Sequence, residues 1–182
     1  DSTAPTVTGV TLASDNSTIT VTFSEAVYST TGASGALVVG DFALSISGGS
    51  ATLSSTATPS SISASGNVYT LGISLSGTPD GGETVTVNPA SSTAIYDGAD
   101  NAAAASQSNN TATLNEKVVP TISSVSLASD NTTIAVTFSE AVYTTTGGSD
   151  ALVAGDFALS ISGGSATLSS TTPSSISASG NV

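Results

Sequence analysis

The sequence contains no cysteine, histidine, arginine, methionine or tryptophan, and Lys117 is its one basic residue. Without His or Cys it has no ligand set for a zinc, haem or iron–sulfur centre, no thiol nucleophile and no Ser–His–Asp triad. No P-loop lysine motif or glycine-rich dinucleotide fingerprint follows a predicted strand. These absences exclude the common enzyme classes, and we expect the chain not to be an enzyme.

Positive charge is almost absent as well: one basic residue stands against 13 acidic residues, which gives a formal net charge of −12. A chain of this charge cannot neutralise a phosphate backbone, which argues against nucleic acid as a partner. No run of 18 or more apolar residues occurs, so we expect no membrane insertion in this segment. A length of 182 residues allows one or two domains.

Small polar residues dominate the composition, and charged residues make up only 8% of the chain. Such a composition is typical either of a disordered linker or of an extracellular β domain. The hydrophobic fraction of 38%, together with the regular alternation of apolar and polar residues, favours the folded domain.

The chain repeats itself. Pro5–Val68 returns as Pro120–Val182, and the 63 aligned positions differ at 10, with one deletion opposite Ala57. We therefore divide the chain into a complete repeat, residues 1–117, and the first half of a second, near-identical repeat, residues 118–182. Either the second repeat is a truncation of a longer tandem array, or a neighbouring chain supplies the strands that it lacks.

Short alternating segments separated by Gly, Pro and Asn turns predict an all-β fold. We expect tandem Ig-like β-sandwich repeats with about seven strands per complete unit. Strands are predicted at Thr6–Leu12, Ile19–Phe23, Phe42–Ser47, Ala51–Ser55, Val68–Leu75, Glu83–Asn88 and Asn110–Asn115. The expected core consists of Val7, Val10, Leu12, Ile19, Val21, Phe23, Phe42, Leu44, Ile46, Val68, Leu71, Ile73, Leu75, Val85 and Val87.

Two motifs carry a resemblance to a known family. The stretch Thr22–Tyr28 reads Thr-Phe-Ser-Glu-Ala-Val-Tyr, and Asp97–Asn101 reads Asp-Gly-Ala-Asp-Asn. They resemble the bacterial Ig-like tandem repeats of giant cell-surface and adhesin proteins, including the type named after cyanobacterial swimming proteins. Asp100 stands where that family usually has Gly. The resemblance implies a spacer or stalk on the bacterial cell surface.

Acidic residues are the only candidates for site chemistry. In a sandwich of this connectivity Glu25, Asp41, Asp97, Asp100 and Asn101 are expected at one pole, although they come from distant stretches. Carboxylates without a nearby Lys or Arg repel one another unless a cation is bound, and hard oxygen ligands in loops suit Ca²⁺. The alternative is that these Asp and Asn side chains only bond their own turns. A weaker hypothesis places a second cation at the joint between the two units, where four residues of the opposite pole would face Glu140 and Asp150 of the next unit. The four are Asp15, Asn16, Asp80 and Glu83.

These observations predict a structural repeat of a large secreted surface protein, which extends an adhesive or motility-related tip and which Ca²⁺ would stiffen. Its partners would be neighbouring repeats of the same chain, other surface proteins or copies of itself. The alternative is an adhesive, ice- or surface-binding module built on the threonine runs Thr18–Thr22 and Thr84–Thr86, or a self-associating filament subunit.

Overall fold

The fold is taken from a computed structural model that describes residues 1–54 and 56–182. The chain forms two compact units, Asp1–Val118 (unit 1) and Val119–Val182 (unit 2). In the described residues, regular structure consists of antiparallel β-strands and two single turns of 3-10 helix, at Val39–Asp41 and Ala154–Asp156. The predicted all-β class is confirmed.

Unit 1 contains nine strands in its described part, of which β4 and β7 are only two residues long. The strands are β1 Val7–Leu12, β2 Thr18–Phe23, β3 Phe42–Ser47, β4 Thr52–Leu53, β5 Ile62–Ser65, β6 Val68–Gly72, β7 Leu75–Ser76, β8 Thr84–Pro89 and β9 Thr111–Thr113.

Two main sheets make up the sandwich of unit 1. One has the strand order β1-β2-β6-β5 and the other the order β3-β8-β9, while β4 and β7 form a separate pair. Every strand pair is antiparallel. Phe23 of the first sheet lies 6.3 Å from Phe42 of the second, measured between ring centroids, and both rings contact Tyr69. The two sheets therefore share one core.

The core follows from the alternation of the strands. In β2, Ile19, Val21 and Phe23 are buried, whereas the threonines between them are half-buried on the other face. This is the pattern of a strand with one face on the core and one toward solvent. Loop residues complete the core, and sequence reasoning missed them: Val27, Leu37, Ile95, Ala103 and Leu114 are all buried.

One predicted strand proved to be wrong in length and in one of its core residues, Val68. The predicted strand Val68–Leu75 ends at Gly72, and the chain then joins β4 through β7. At the break, the Ile73 N–H donates to the Ser17 carbonyl at 2.8 Å. Tyr69 rather than Val68 faces the core: Tyr69, Leu71 and Gly72 are buried, whereas Val68 is half-buried.

Three further strands differ from the prediction. The predicted strand Asn110–Asn115 is reduced to Thr111–Thr113. Ile62–Ser65 pairs with β6, although its exposed small residues gave no strand signal. The predicted strand Ala51–Ser55 is reduced to Thr52–Leu53, and Ser55 lies outside the described residues.

Unit 2 contains one β-hairpin in its described residues, formed by β10 Ile122–Leu127 and β11 Ile134–Phe138. Its pairing repeats that of β1 with β2, including the irregularity after the first residue pair. Phe157–Ser162, which has the same sequence as β3, is not a strand. In unit 1 that segment pairs with β8, which has no counterpart among residues 119–182.

The described residues include no helix that is long and apolar enough to cross a membrane.

Candidate functional site

Three carboxylates converge at one pole of unit 1. One carboxylate oxygen from each of Asp1, Glu25 and Asp97 lies within 4.8 Å of the other two. Glu25 follows β2, and Asp97 lies in the long connection between β8 and β9. The backbone pairing of Tyr28 with Tyr96 brings these two stretches together. The structure therefore joins Glu25 to Asp97, as the sequence predicted, and adds Asp1.

Asp1 was missed by sequence reasoning, although the repeat contains a signal for it. The offset of 115 residues places Glu116 opposite Asp1 and Glu140 opposite Glu25. An acidic residue thus stands at the same distance before each unit. The comparison of the two repeats could have identified this position.

Asp97 is fully buried and organises its own loop. Its Oδ1 accepts the backbone N–H groups of Ala99 and Asn101, each at 2.8 Å. Its Oδ2 accepts the side-chain amide of Asn101 at 2.7 Å. The bond from the Asn101 amide is the main cause that lowers the pKa of Asp97, against the opposing effect of burial. Asp97 is therefore ionised and held by its turn.

The other three predicted ligands are not part of the three-carboxylate group. The Asp41 carboxylate accepts the Val38 N–H at 2.8 Å and closes the 3-10 turn of which it is part. The Asp100 carboxylate accepts the N–H of Gly32, in a different loop. The side-chain amide of Asn101 donates a hydrogen bond to the Asp97 carboxylate, and Asn101 reaches the group only in this way. The three-carboxylate group thus contains two of the five predicted residues.

The local chemistry is compatible with both interpretations made from the sequence. Hard oxygen ligands on loops are what Ca²⁺ prefers, and three carboxylates at this distance repel one another without a cation. The bonds to Asp97 also satisfy most of its acceptor capacity within the turn, as the alternative requires. The Ca²⁺ site therefore stays a prediction. Glu25 and Asp1 are the carboxylates of the group whose role distinguishes the two interpretations, because Asp97 also holds its own turn.

Glu83 has a structural role at the other pole. It is fully buried, and its Oε1 accepts the N–H groups of Ser50 at 3.0 Å and Ala51 at 2.7 Å. Both of its oxygens also accept backbone N–H groups from Asp80 and Gly81 at 3.1–3.2 Å. Burial on its own raises the pKa of Glu83, but these N–H groups outweigh it and the net shift is downward. Glu83 fastens two loops together.

The residues around Glu83 are consistent with its role in joining the two loops. Gly49 has a left-handed backbone (φ 55°), and a Cβ there would lie 2.3 Å from the Glu83 carboxyl carbon. Asp80 accepts the Ser50 hydroxyl at 2.7 Å, which is the main cause that lowers its own pKa. The carboxylate of Glu83 is thus enclosed by loop backbone.

A row of hydroxyl side chains crosses the outer face of the four-stranded sheet. The pairing places Thr11 opposite Thr20, Thr20 opposite Thr70, and Thr70 opposite Ser63. The hydroxyls of Thr20 and Thr70 are 3.3 Å apart. The threonine run in β2 thus becomes part of a row that spans four strands.

Comparisons with known proteins place the chain in no family. No family model matches the sequence, and no curated protein matches it. Among solved structures, the N-terminal part of the bacterial S-layer protein SbsC is similar over 74% of this chain, with 20% sequence identity and a TM-score of 0.41. The chain spans 31% of the length of that protein. A match at this level establishes no shared family or function.

Proposed function

We propose that the chain is a spacer segment of a large bacterial cell-surface protein, in which tandem β-sandwich units extend a stalk that carries an adhesive or motility-related tip. The observation that carries the proposal is repetition in sequence and in fold. The β10–β11 hairpin repeats the register of β1–β2 residue by residue, including its irregularity.

The distribution of differences between the repeats supports this function. Of the ten positions that differ, only the one occupied by Val7 in unit 1 is buried there, and it carries Ile122 in unit 2. The buried framework is thus retained, while the differences fall on exposed and half-buried positions. A spacer needs a repeated framework and places few demands on its outer surface.

The resemblance of Thr22–Tyr28 and Asp97–Asn101 to bacterial Ig-like surface repeats supports the same location. The proposal includes no catalytic role. The partners that it implies are the neighbouring repeats of the same chain.

Scattering and pulling experiments test the spacer. Chains with one, two and four complete units should have a maximum dimension, measured by small-angle X-ray scattering, that grows in proportion to the number of units. Under force, each complete unit should unfold in one event, because its two sheets share one core. A maximum dimension that stays constant as units are added would contradict the proposal.

The second candidate function is a surface-binding face, and the row Thr11–Thr20–Thr70–Ser63 is the observation that favours it. The corresponding positions of β10 and β11 are Ser126 and Ala135, so the central threonine of the row is not repeated. Adsorption of the chain to ice and to mineral surfaces tests this function. Thr20→Lys should abolish adsorption, while Thr86→Lys on the other sheet should leave it intact.

A further inference from the structure

Strand β5 is an open edge of the four-stranded sheet of unit 1. Ile62–Ser65 pairs on one side with β6, and among the described residues no other strand pairs with it. The two-residue turn Gly66–Asn67 closes on the pair Ser65–Val68, whose backbones are therefore bonded to each other. Because the bonding direction alternates along an antiparallel strand, the backbone groups of Ile62 and Ala64 face outward.

The other edge strands of the two main sheets have further neighbours. The Leu44 N–H of β3 donates to the Ala57 carbonyl. The Val7 N–H of β1 donates to the side-chain oxygen of Gln107 at 2.8 Å, and β1 lies beside β9. Ile62–Ser65, by contrast, contains no charged residue, no proline and no irregularity in its pairing, which are the features that usually protect an edge strand. A further strand can therefore be added at β5.

The stretch that contains β5 carries no charge, although the chain is strongly acidic. The net charge is −12, yet no charged residue occurs in Phe42–Pro79, which includes β3 to β7. Two copies of such a chain repel each other wherever both present carboxylates, and least where neither has an ionised side chain. A second copy of the chain therefore meets little electrostatic resistance at β5.

The sequence of β5 is self-complementary about Ser63. When two copies pair antiparallel around a twofold axis at this residue, each Ser63 lies opposite the Ser63 of the other copy. Ile62 then lies opposite Ala64, so that a large side chain faces a small one on both sides of the axis. The outward backbone groups of these two residues form about four hydrogen bonds between the copies.

The row of hydroxyl side chains on the outer face ends at this edge. Ser63 is its last member, after Thr11, Thr20 and Thr70. Pairing about Ser63 continues the row into the second copy and joins two four-stranded sheets into one of eight strands. Hydroxyl pairs across neighbouring strands, such as Thr20 and Thr70, stabilise a sheet.

We propose that β5 is a self-association edge, through which two copies of the chain pair antiparallel along Ile62–Ser65 with a twofold axis at Ser63. The proposal goes beyond the spacer function, which needs no contact between neighbouring chains. The edge is short, so a single contact is weak. The sequence Ser60–Asn67 recurs as Ser174–Asn181, and in the tandem chain proposed above weak contacts at successive complete units reinforce one another.

The absence of cysteine allows the contact to be trapped at chosen positions of the full 182-residue chain. Three variants carry one cysteine each: Ser63→Cys, Ser65→Cys and Thr113→Cys. Ser65 is exposed on the same strand and the same face as Ser63, but in the proposed pairing it lies opposite Ser61. Thr113 is exposed on the edge strand β9 of the other sheet. Disulfide formation by dissolved oxygen with copper phenanthroline is followed by non-reducing electrophoresis at several protein concentrations.

A fourth chain combines Ser63→Cys with Ala64→Pro. Proline removes the outward N–H of residue 64 and leaves the bonds between β5 and β6 in place, since edge strands tolerate proline where the N–H faces solvent. The Tm of each chain is measured in parallel. If Ala64→Pro lowers the Tm, Ala64→Asp replaces it and places one carboxylate from each copy at the contact.

We expect Ser63→Cys to form disulfide dimers about tenfold faster than Ser65→Cys or Thr113→Cys, because pairing holds the two thiols together. The change at Ala64 should reduce this rate to that of Thr113→Cys. Equal rates at the three cysteine positions would overturn the proposal. A fast rate in Ser63→Cys that persists after the change at Ala64, with an unaltered Tm, would also overturn it. The spacer function would survive either result, because it rests on the growth of length with the number of units.

Discussion

Asn16 and Asn115, 99 positions apart in sequence, hold each other by reciprocal hydrogen bonds. The side-chain amide of Asn16 donates to the Asn115 carbonyl at 2.7 Å, and its Oδ1 accepts the Asn115 N–H at 2.8 Å. Asn16 has a left-handed backbone (φ 63°) in the turn between β1 and β2 and is only 2% exposed. The bonds join the first hairpin to the residues that follow β9.

Replacement of Asn16 by Gly tests this closure. Gly accepts the same backbone angle but has no amide, so the N–H and carbonyl of Asn115 lose their partner. We expect the free energy of unfolding to fall by about 1–3 kcal/mol. The matched control is Asn131→Gly, which changes the same turn (φ 60°) in a unit that has no counterpart of Asn115. A calorimetric unfolding midpoint that falls equally in both variants would contradict the closure.

The buried carboxylate of Glu83 provides a second prediction. Glu83→Gln replaces one acceptor oxygen by an amide that must face backbone N–H groups, so two loops lose part of their connection. We expect the Tm of unit 1 to fall by several degrees. Glu116→Gln removes the same charge at an exposed position and should leave the Tm nearly unchanged. Similar Tm values for the two variants would show that Glu83 does not fasten the loops.

Acid should destabilise unit 1. The folded-state pKa values of Asp80, Glu83 and Asp97 lie below the ordinary values of 3.8 for Asp and 4.5 for Glu. A depressed pKa adds stability that is complete above the ordinary value and is lost as the pH falls through the folded-state value. We therefore expect a constant Tm from pH 7 down to about pH 5 and a decrease below that. Glu83→Gln should reduce the size of the decrease.

Calcium binding can be separated from loop structure with Glu25→Gln. Within the described residues the Glu25 carboxylate lies beside Asp97, whereas Asp97 itself also holds the turn. If the predicted site binds Ca²⁺, saturating Ca²⁺ should raise the Tm of the chain. At a hundredfold excess over Kd the free energy of unfolding should increase by about 2.7 kcal/mol. Glu25→Gln should abolish the increase, and Asp41→Asn should retain it. An equal Tm with Ca²⁺ and with chelator would favour the turn interpretation.

The sequence was sufficient to predict those features that depend on local pattern. The alternation in Thr18–Phe23 predicts both the strand and its buried side. The burial of Leu71 was predicted as well, but the choice between Val68 and Tyr69 as the inward residue could not be, because both are good strand residues. Tyr69 faces inward because it fills the space between Phe23 and Phe42, a contact that joins three distant stretches.

The candidate site, too, could be predicted only in part from the sequence. Asp97 and Glu25 could be brought together from connectivity alone, since the loops at one pole of a sandwich are known from strand order. Connectivity alone could not show that Asp41 and Asp100 lie outside the group, because the carboxylate of each is held elsewhere by one hydrogen bond from a backbone N–H group. The inward direction of Glu83 depends on Gly49, whose missing Cβ leaves room for the carboxylate.

The clearest limit on prediction from sequence is found within the chain itself. Asp41–Thr56 and Asp156–Thr171 are identical in sequence, yet Phe42–Ser47 is a strand and Phe157–Ser162 is not. Intrinsic strand propensity is the same in both, so the difference comes from pairing with β8. Because identical residues have nearly identical intrinsic exchange rates, NMR-detected amide exchange isolates this effect. We expect slow exchange in Phe42–Ser47 and fast exchange in Phe157–Ser162.

A variant of the partner strand extends this test to unit 1. Val87 is 1% exposed and lies opposite Leu44 in β3. Val87→Ala leaves a cavity in the core and should lower the free energy of unfolding by about 2 kcal/mol. The amides of Phe42–Ser47 should then exchange faster, at a rate closer to that of Phe157–Ser162. The exchange rate of Phe157–Ser162 should stay the same. Exchange that remains equally slow in Phe42–Ser47 would show that β3 does not depend on its contact with β8.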